Sequence, residues 1–148
     1  MKQFLYSWKR FLNEGSSSKG VITFDFDDTL LGFRLDPEWG IVQDQPKHEI
    51  IELLRKFKSD GYTVYIVTSR HEKNEENSNY DKDHPAFVTS VADFVELHKL
   101  PIDGIYFTNG MLKFKKLTEL ESIRHHDDNA AEIEAIRQYS PNIEAIMV

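Results

Sequence analysis

Three carboxylates stand within four residues at Asp25, Asp27 and Asp28, with the hydroxyl of Thr29 next to them, directly after the apolar stretch Val21 to Phe24. Carboxylates crowded in this way repel one another unless a cation, a raised pKa or a bound ligand relieves them, which makes the cluster a candidate site. Such residues supply oxygen ligands for a hard cation, a carboxylate nucleophile and a second carboxyl group to move protons. Polar groups follow expected strands at two further places: Thr68, Ser69 and Arg70 after the apolar Tyr62 to Val67, and Asp127, Asp128 and Asn129 after the less apolar Glu121 to His126. Between them, Lys113, Lys115 and Lys116 offer positive charge.

These groups need elements to bring them together. Val21 to Phe24 is rich in β-branched and aromatic residues and reads as a buried strand whose carboxyl end carries the acids. Leu31 to Asp44, with the turn formers Pro37 and Gly40, reads as a small flap carrying Phe33 and Trp39, whose rings are either packing or a face for a substrate ring. A helix is expected from Pro46 to about Asp60, with Ile50, Leu53, Leu54 and Phe57 at helical spacing and Gly61 as its stop. Tyr62 to Val67 is a second strand. Arg70 to Pro85 lacks periodicity and reads as a mobile loop, before a helix from about Ala86 to Leu100 that Pro101 ends. Gly104 to Thr108 is a third strand, Asn109 and Gly110 a turn, and Met111 to Leu120 a short basic helix. Glu121 to His126, a helix from Ala130 to about Tyr139 capped by Asn129, and Ile143 to Val148 complete the pattern. Alternating strands and helices predict a three-layer α/β sandwich with a five-stranded parallel, Rossmann-like sheet, whose site lies beyond the carboxyl ends of the strands.

The remaining composition sets bounds. At 148 residues the chain is long enough for one compact core, and its lack of cysteine excludes disulfides and thiolate metal sites. A formal charge of -7 opposes non-specific binding to nucleic acid. No apolar run is long enough to span a bilayer and no signal-peptide core is evident, so a soluble, cytoplasmic protein without a membrane partner is expected. Met1 to Glu14 places Phe4, Leu5, Trp8, Phe11 and Leu12 on one face of an amphipathic helix, and a Gly/Ser linker follows through Gly20. That helix either packs on the domain edge or docks on a protein partner. Leu12, Asn13 and Glu14 also resemble the end of leader peptides in tailed-phage internal capsid proteins, which would imply packaging in a capsid. His125 and His126 alternate on a strand, so packing or solvent exposure explains them better than a shared transition metal.

Residues 21–148 resemble the haloacid dehalogenase-like (HAD) phosphohydrolase superfamily, in its minimal capless form. Asp25, Phe26, Asp27, Asp28 and Thr29 match its first motif, although Asp28 stands where many members have Gly. Thr68 matches the second motif, a lysine the third, and Asp127 with Asp128 the fourth. Lys113 is favoured for the third because it comes first after the turn, with Lys115 and Lys116 as competitors. The resemblance implies a phosphatase in which Asp25 is the nucleophile, Asp27 the acid and base, and Thr68 and Lys113 hold the phosphoryl group and its charge. Mg²⁺ would be held by Asp25, the Asp27 carbonyl and Asp127 or Asp128, while Thr29, Ser69 and Arg70 are placed on the substrate side. The superfamily's metal-free dehalogenases lack the second acid, so Asp27 favours phosphate chemistry.

Overall fold

The computed structural model describes residues 18–76 and 89–148. The amphipathic helix expected in residues 1–14 lies outside them, as does most of the expected 70–85 loop. Five parallel strands form the central sheet: β1 (Val21–Phe24), β4 (Thr63–Thr68), β5 (Gly104–Phe107), β6 (Ser122–Asp127) and β7 (Glu144–Met147), in the order β5-β4-β1-β6-β7. The order reverses at β1, which pairs through Phe24 with Ile66 on one side and His126 on the other. Two strands flanking a reversal leave a crevice beyond their carboxyl ends, where open α/β sheets hold their ligands.

The inner strands β1 and β4 are buried on both faces, as parallel sheets require. Alternate residues of β4 serve the two sides: Val64 and Ile66 join a core with Ile51 and Leu54 of helix α1 (His48–Ser59) and Val91 and Phe94 of α3 (Val91–His98). Tyr65 and Val67 face Leu117 of α4 (Phe114–Glu119) and Ile136 of α5 (Ala130–Tyr139). This is the three-layer sandwich that the alternation of elements predicts. The predicted flap is an antiparallel hairpin of β2 (Leu31–Asp36) and β3 (Gly40–Pro46).

Three boundaries differ from expectation. Pro46 ends β3 opposite Leu31 instead of opening α1, an edge position where a missing N–H is harmless. Described α3 begins only after Ser90, whose hydroxyl caps it by accepting from the Asp93 N–H at 3.1 Å. The segment after Arg70 contains a one-turn helix, α2 (Glu72–Glu76), held from outside by Asn109, whose side-chain oxygen accepts the Glu72 N–H at 3.0 Å.

Candidate active site

Asp25 extends β1 by one residue, its N–H donating to the His126 carbonyl at 2.9 Å. The chain then folds tightly, Leu30 and Leu31 donating to the Phe26 carbonyl, with Asp28 in the left-handed region at φ 59°. This conformation favours glycine, and aspartate is among the few side-chain-bearing residues that tolerate it. Lys47 ties the turn down, its Nζ donating to the Asp28 carbonyl at 2.5 Å and lying 3.4 Å from the carboxylate.

Lys113 is the cation of the site. The left-handed pair Asn109 and Gly110 turns the chain back over the strand ends, and Lys113, 2% exposed, enters just before α4. Its Nζ donates to Asp25 Oδ1 and to Asp127 Oδ2, both at 2.7 Å, while its N–H donates to buried Glu132 at 3.0 Å. An ammonium this deep is tolerable only when paired, and the two carboxylates outweigh burial to keep it protonated, its pKa raised. Lys115 lies exposed, and Lys116 turns to Glu119 and the Tyr106 ring.

Asp25, Asp127 and Asp128 each offer a carboxylate oxygen within 4.8 Å of the others. All are hard oxygen donors, the set that suits Mg²⁺ rather than a softer metal. Thr29 bridges the group, donating to Asp25 Oδ2 at 3.1 Å and lying 3.4 Å from Asp128 Oδ1. Burial pushes the Asp25 carboxyl up to about 8 despite Lys113, with Asp127 adding to the rise. Asp127 moves the other way: burial raises it, but the His125 hydrogen bond and the Lys113 charge hold it down to about 2. Burial first, and the neighbouring Asp127 charge second, thus favour a proton on Asp25 that a cation would displace.

Asp27 points into a separate pair. Arg70 forks it, Nε on Oδ2 at 2.8 Å and Nη2 on Oδ1 at 2.7 Å, and Gln43 of the flap donates to Oδ1 at 2.5 Å. Burial works to raise its pKa, but these donors and the guanidinium charge hold it below the usual carboxylate value. Arg70 also reaches Glu75 at 3.2 Å and the Thr89 carbonyl at 2.8 Å, and stacks over Phe26. Its side chain therefore binds the protein, and its N–H donates to Thr68 Oγ1 at 3.2 Å. Thr68 is buried at the end of β4, and Ser69 is exposed.

The site thus gathers Asp25, Asp127, Asp128, Thr29 and Lys113 from three separate parts of the chain, with Asp27 and Arg70 paired beside them and Thr68 at the end of the neighbouring strand. Gln43, Lys47, Glu75 and Glu132 are further members of the site, and His125, for which alternation predicts packing or solvent exposure, is fully buried. None carries a motif, and each contact joins residues 5 to 102 positions apart.

Comparison with solved structures agrees with this architecture. A chain from the structure of the Pnkp1/Rnl/Hen1 complex matches with a TM-score of 0.62 and 17% identity over 90% of this chain and 47% of its own. The N-terminal part of a Bacteroides fragilis protein containing a phosphatase domain, complexed with Mg, matches with a TM-score of 0.53 and 18% identity over 94% of this chain and 38% of its own. At these identities the likeness is one of fold, and the chain spans half or less of the length of either. No protein-family model and no curated sequence matches it. Among the described residues no helix is long and apolar enough to cross a membrane.

Proposed function

We propose that the chain is a HAD-like, Mg²⁺-dependent phosphatase that hydrolyses phosphate monoesters through an aspartyl-phosphate on Asp25. The observation that carries this reading is the sharing of Lys113 between Asp25 and Asp127, with Asp128 alongside. It sets a carboxylate beside both a fixed positive charge and a set of cation ligands, the combination an anionic nucleophile needs to approach an anionic phosphoryl group. The fold likeness to a phosphatase domain complexed with Mg supports the same reaction class.

In this mechanism an Asp25 oxygen attacks phosphorus and the bond to the ester oxygen breaks; Asp27 gives that oxygen a proton only in the small fraction that is protonated while Arg70 holds it ionised, so a leaving group that needs no proton departs most readily. Water then attacks phosphorus, Asp27 takes its proton, and phosphate leaves Asp25 free. Lys113 orients Asp25 and offsets charge, while the Thr68 hydroxyl and the main chain at Ser69 and Arg70 hold phosphoryl oxygens. Mg²⁺, held by Asp25, Asp127 and Asp128 with the Asp27 carbonyl as a further ligand, would supply the charge that neutralises the transferring group.

The substrate is a phosphorylated end of a nucleic acid or protein. Between β1 and β4 the chain makes only a hairpin and α1, and between β4 and β5 the described residues make only α2 and α3. Neither stretch folds into a lid among the described residues, so a small substrate gains little burial, whereas a large one brings its own cover. Turnover of an aryl phosphate with Mg²⁺, abolished by chelator, tests the activity and separates it from a non-catalytic binding role. Values of kcat/KM on a mononucleotide, a terminally phosphorylated oligonucleotide and a sugar phosphate test the substrate. A preference of about tenfold, or ~1.4 kcal/mol, for either small substrate would assign a metabolite or nucleotide phosphatase instead.

A further inference from the structure

Behind the carboxylates, between β1 and β6, runs a buried line of side chains that the proposed mechanism does not use. Ser122 Oγ lies 2.8 Å from Thr23 Oγ1, Thr23 Oγ1 lies 2.8 Å from His125 Nδ1, and His125 Nε2 lies 2.9 Å from Asp127 Oδ2. His125 and Asp127 are each 0% exposed. Elementary donor counting directs the whole line. An ionised carboxylate accepts only, so Nε2 carries the hydrogen; in a neutral imidazole Nδ1 is then the acceptor, and Thr23 must give it the hydroxyl hydrogen. Thr23 can no longer donate to the Arg124 carbonyl, 3.2 Å away, and Ser122 donates to that carbonyl at 3.1 Å or to Thr23.

We infer that His125 is a positioning residue, locked by Thr23 and Ser122 as its Nε2–H tautomer, that pins Asp127 in the orientation a divalent cation requires; this rests on the metal site proposed above. Asp127 already accepts from His125 and Lys113 on Oδ2 and from the Asn129 N–H on Oδ1 at 3.0 Å. Of about four acceptor positions on a carboxylate, one on Oδ1 remains for an ion. Two donors on Oδ2 stop the group from rotating and exchanging its oxygens, which is how hydrogen bonds behind a ligand raise metal affinity. A histidine with only a packing role needs neither a fixed tautomer nor a bond to the carboxylate.

The test is Mg²⁺ binding by calorimetry on the full chain, with thermal melting in chelator as the measure of fold. His125→Phe keeps the ring volume and removes the donor, and should weaken Mg²⁺ about 10- to 100-fold. His125→Gln, which can present an amide N–H near the position of Nε2, should recover most of that loss. Thr23→Val, similar in size, should weaken Mg²⁺ several-fold by freeing the tautomer. Nitrogen chemical shifts of the wild-type His125 ring should show hydrogen on Nε2 alone, and they decide the matter if His125→Phe does not fold. Unchanged Mg²⁺ affinity in folded His125→Phe, failure of His125→Gln to recover it, or an Nδ1–H or doubly protonated ring would overturn the inference while leaving the metal site standing. Absence of Mg²⁺ binding in the wild type would overturn both.

Discussion

Arg70 grips Asp27 through two parallel hydrogen bonds of 2.8 and 2.7 Å, so the second acid of the DxD pair is fixed in place and held as a carboxylate. An acid held ionised is better prepared to accept a proton from water than to give one to a leaving group. With nitrophenyl phosphate, whose leaving group needs no proton, Asp27→Asn should therefore show a burst of one equivalent of nitrophenolate and then slow turnover, as the aspartyl-phosphate accumulates. A linear time course, slowed equally from the first turnover, would count against Asp27 as the base.

Asp25→Asn should lower turnover by about a thousandfold or more while leaving the melting temperature near that of the wild type or above it, because the amide is isosteric but neither nucleophilic nor anionic. Rates on an aryl phosphate, read beside a melting curve, check both halves. Retained activity would move the nucleophile elsewhere.

Cation binding should be linked to protons. Burial raises Asp25 to about 8, and ligation requires the ionised form, so Mg²⁺ binding releases a proton below that pH and not above it. Affinity should rise up to about tenfold per pH unit between pH 6 and 8 and then level off. Calorimetry in buffers of different ionisation enthalpy measures the released proton, and a pH-independent affinity would contradict the raised pKa.

Lys113→Met should destabilise the protein by about 3–5 kcal/mol in the absence of divalent cation, since it leaves Asp25 and Asp127 buried without their shared partner. Mg²⁺ should recover part of that loss by replacing the missing positive charge. Lys115→Ala, on an exposed side chain, should change stability by no more than about 0.5 kcal/mol. Denaturant titrations of the two variants, with and without Mg²⁺, rank them.

His126 gives the fold an acid sensitivity separate from catalysis. Its ring stacks on Phe24 at 4.3 Å, its Nδ1–H donates to the Thr23 carbonyl at 3.1 Å, and burial lowers its pKa from 6.5 to about 4. The folded state therefore binds fewer protons than the unfolded one between these values, and the associated stability, complete above pH 6.5, is lost as pH falls through about 4. Relative to His126→Phe, the wild type should lose about 3 kcal/mol across that window. Parallel pH dependences of the two proteins would remove His126 as the cause.

The strands β1 and β4 were legible because they are buried on both faces and stand out as apolar runs that stop at polar residues, whereas β6, with Arg124, His125 and His126, stands out less. Lys113 was distinguishable from Lys115 and Lys116 only by coming first after the Asn109 and Gly110 turn; its burial depends on α4 beginning at Phe114. Pro46 at a strand end and the Glu72–Glu76 turn were not legible, since the first depends on pairing with Leu31 and the second on a hydrogen bond from Asn109, 37 residues away. Alternation correctly separated His125 from His126. It could not show that β1 would bring Thr23 under one of them, because register between strands a hundred residues apart is a property of the assembled sheet.

The strand order β5-β4-β1-β6-β7 puts Asp25 and Asp127 on the two inner strands β1 and β6, and Thr68 on the third, β4, while the edges β5 and β7 carry none of the reactive groups. Partial openings of a protein begin at its margins and cost less than global unfolding, which is needed to expose the centre. The edges still touch the site, β7 pairing with β6 at Asp127 and β5 with β4 at Thr68, but they have a partner on one side only, so their amides should exchange with solvent before those of Phe24 and Ile66. Heat should abolish function together with the fold, in one step, with no folded but inactive form preceding it.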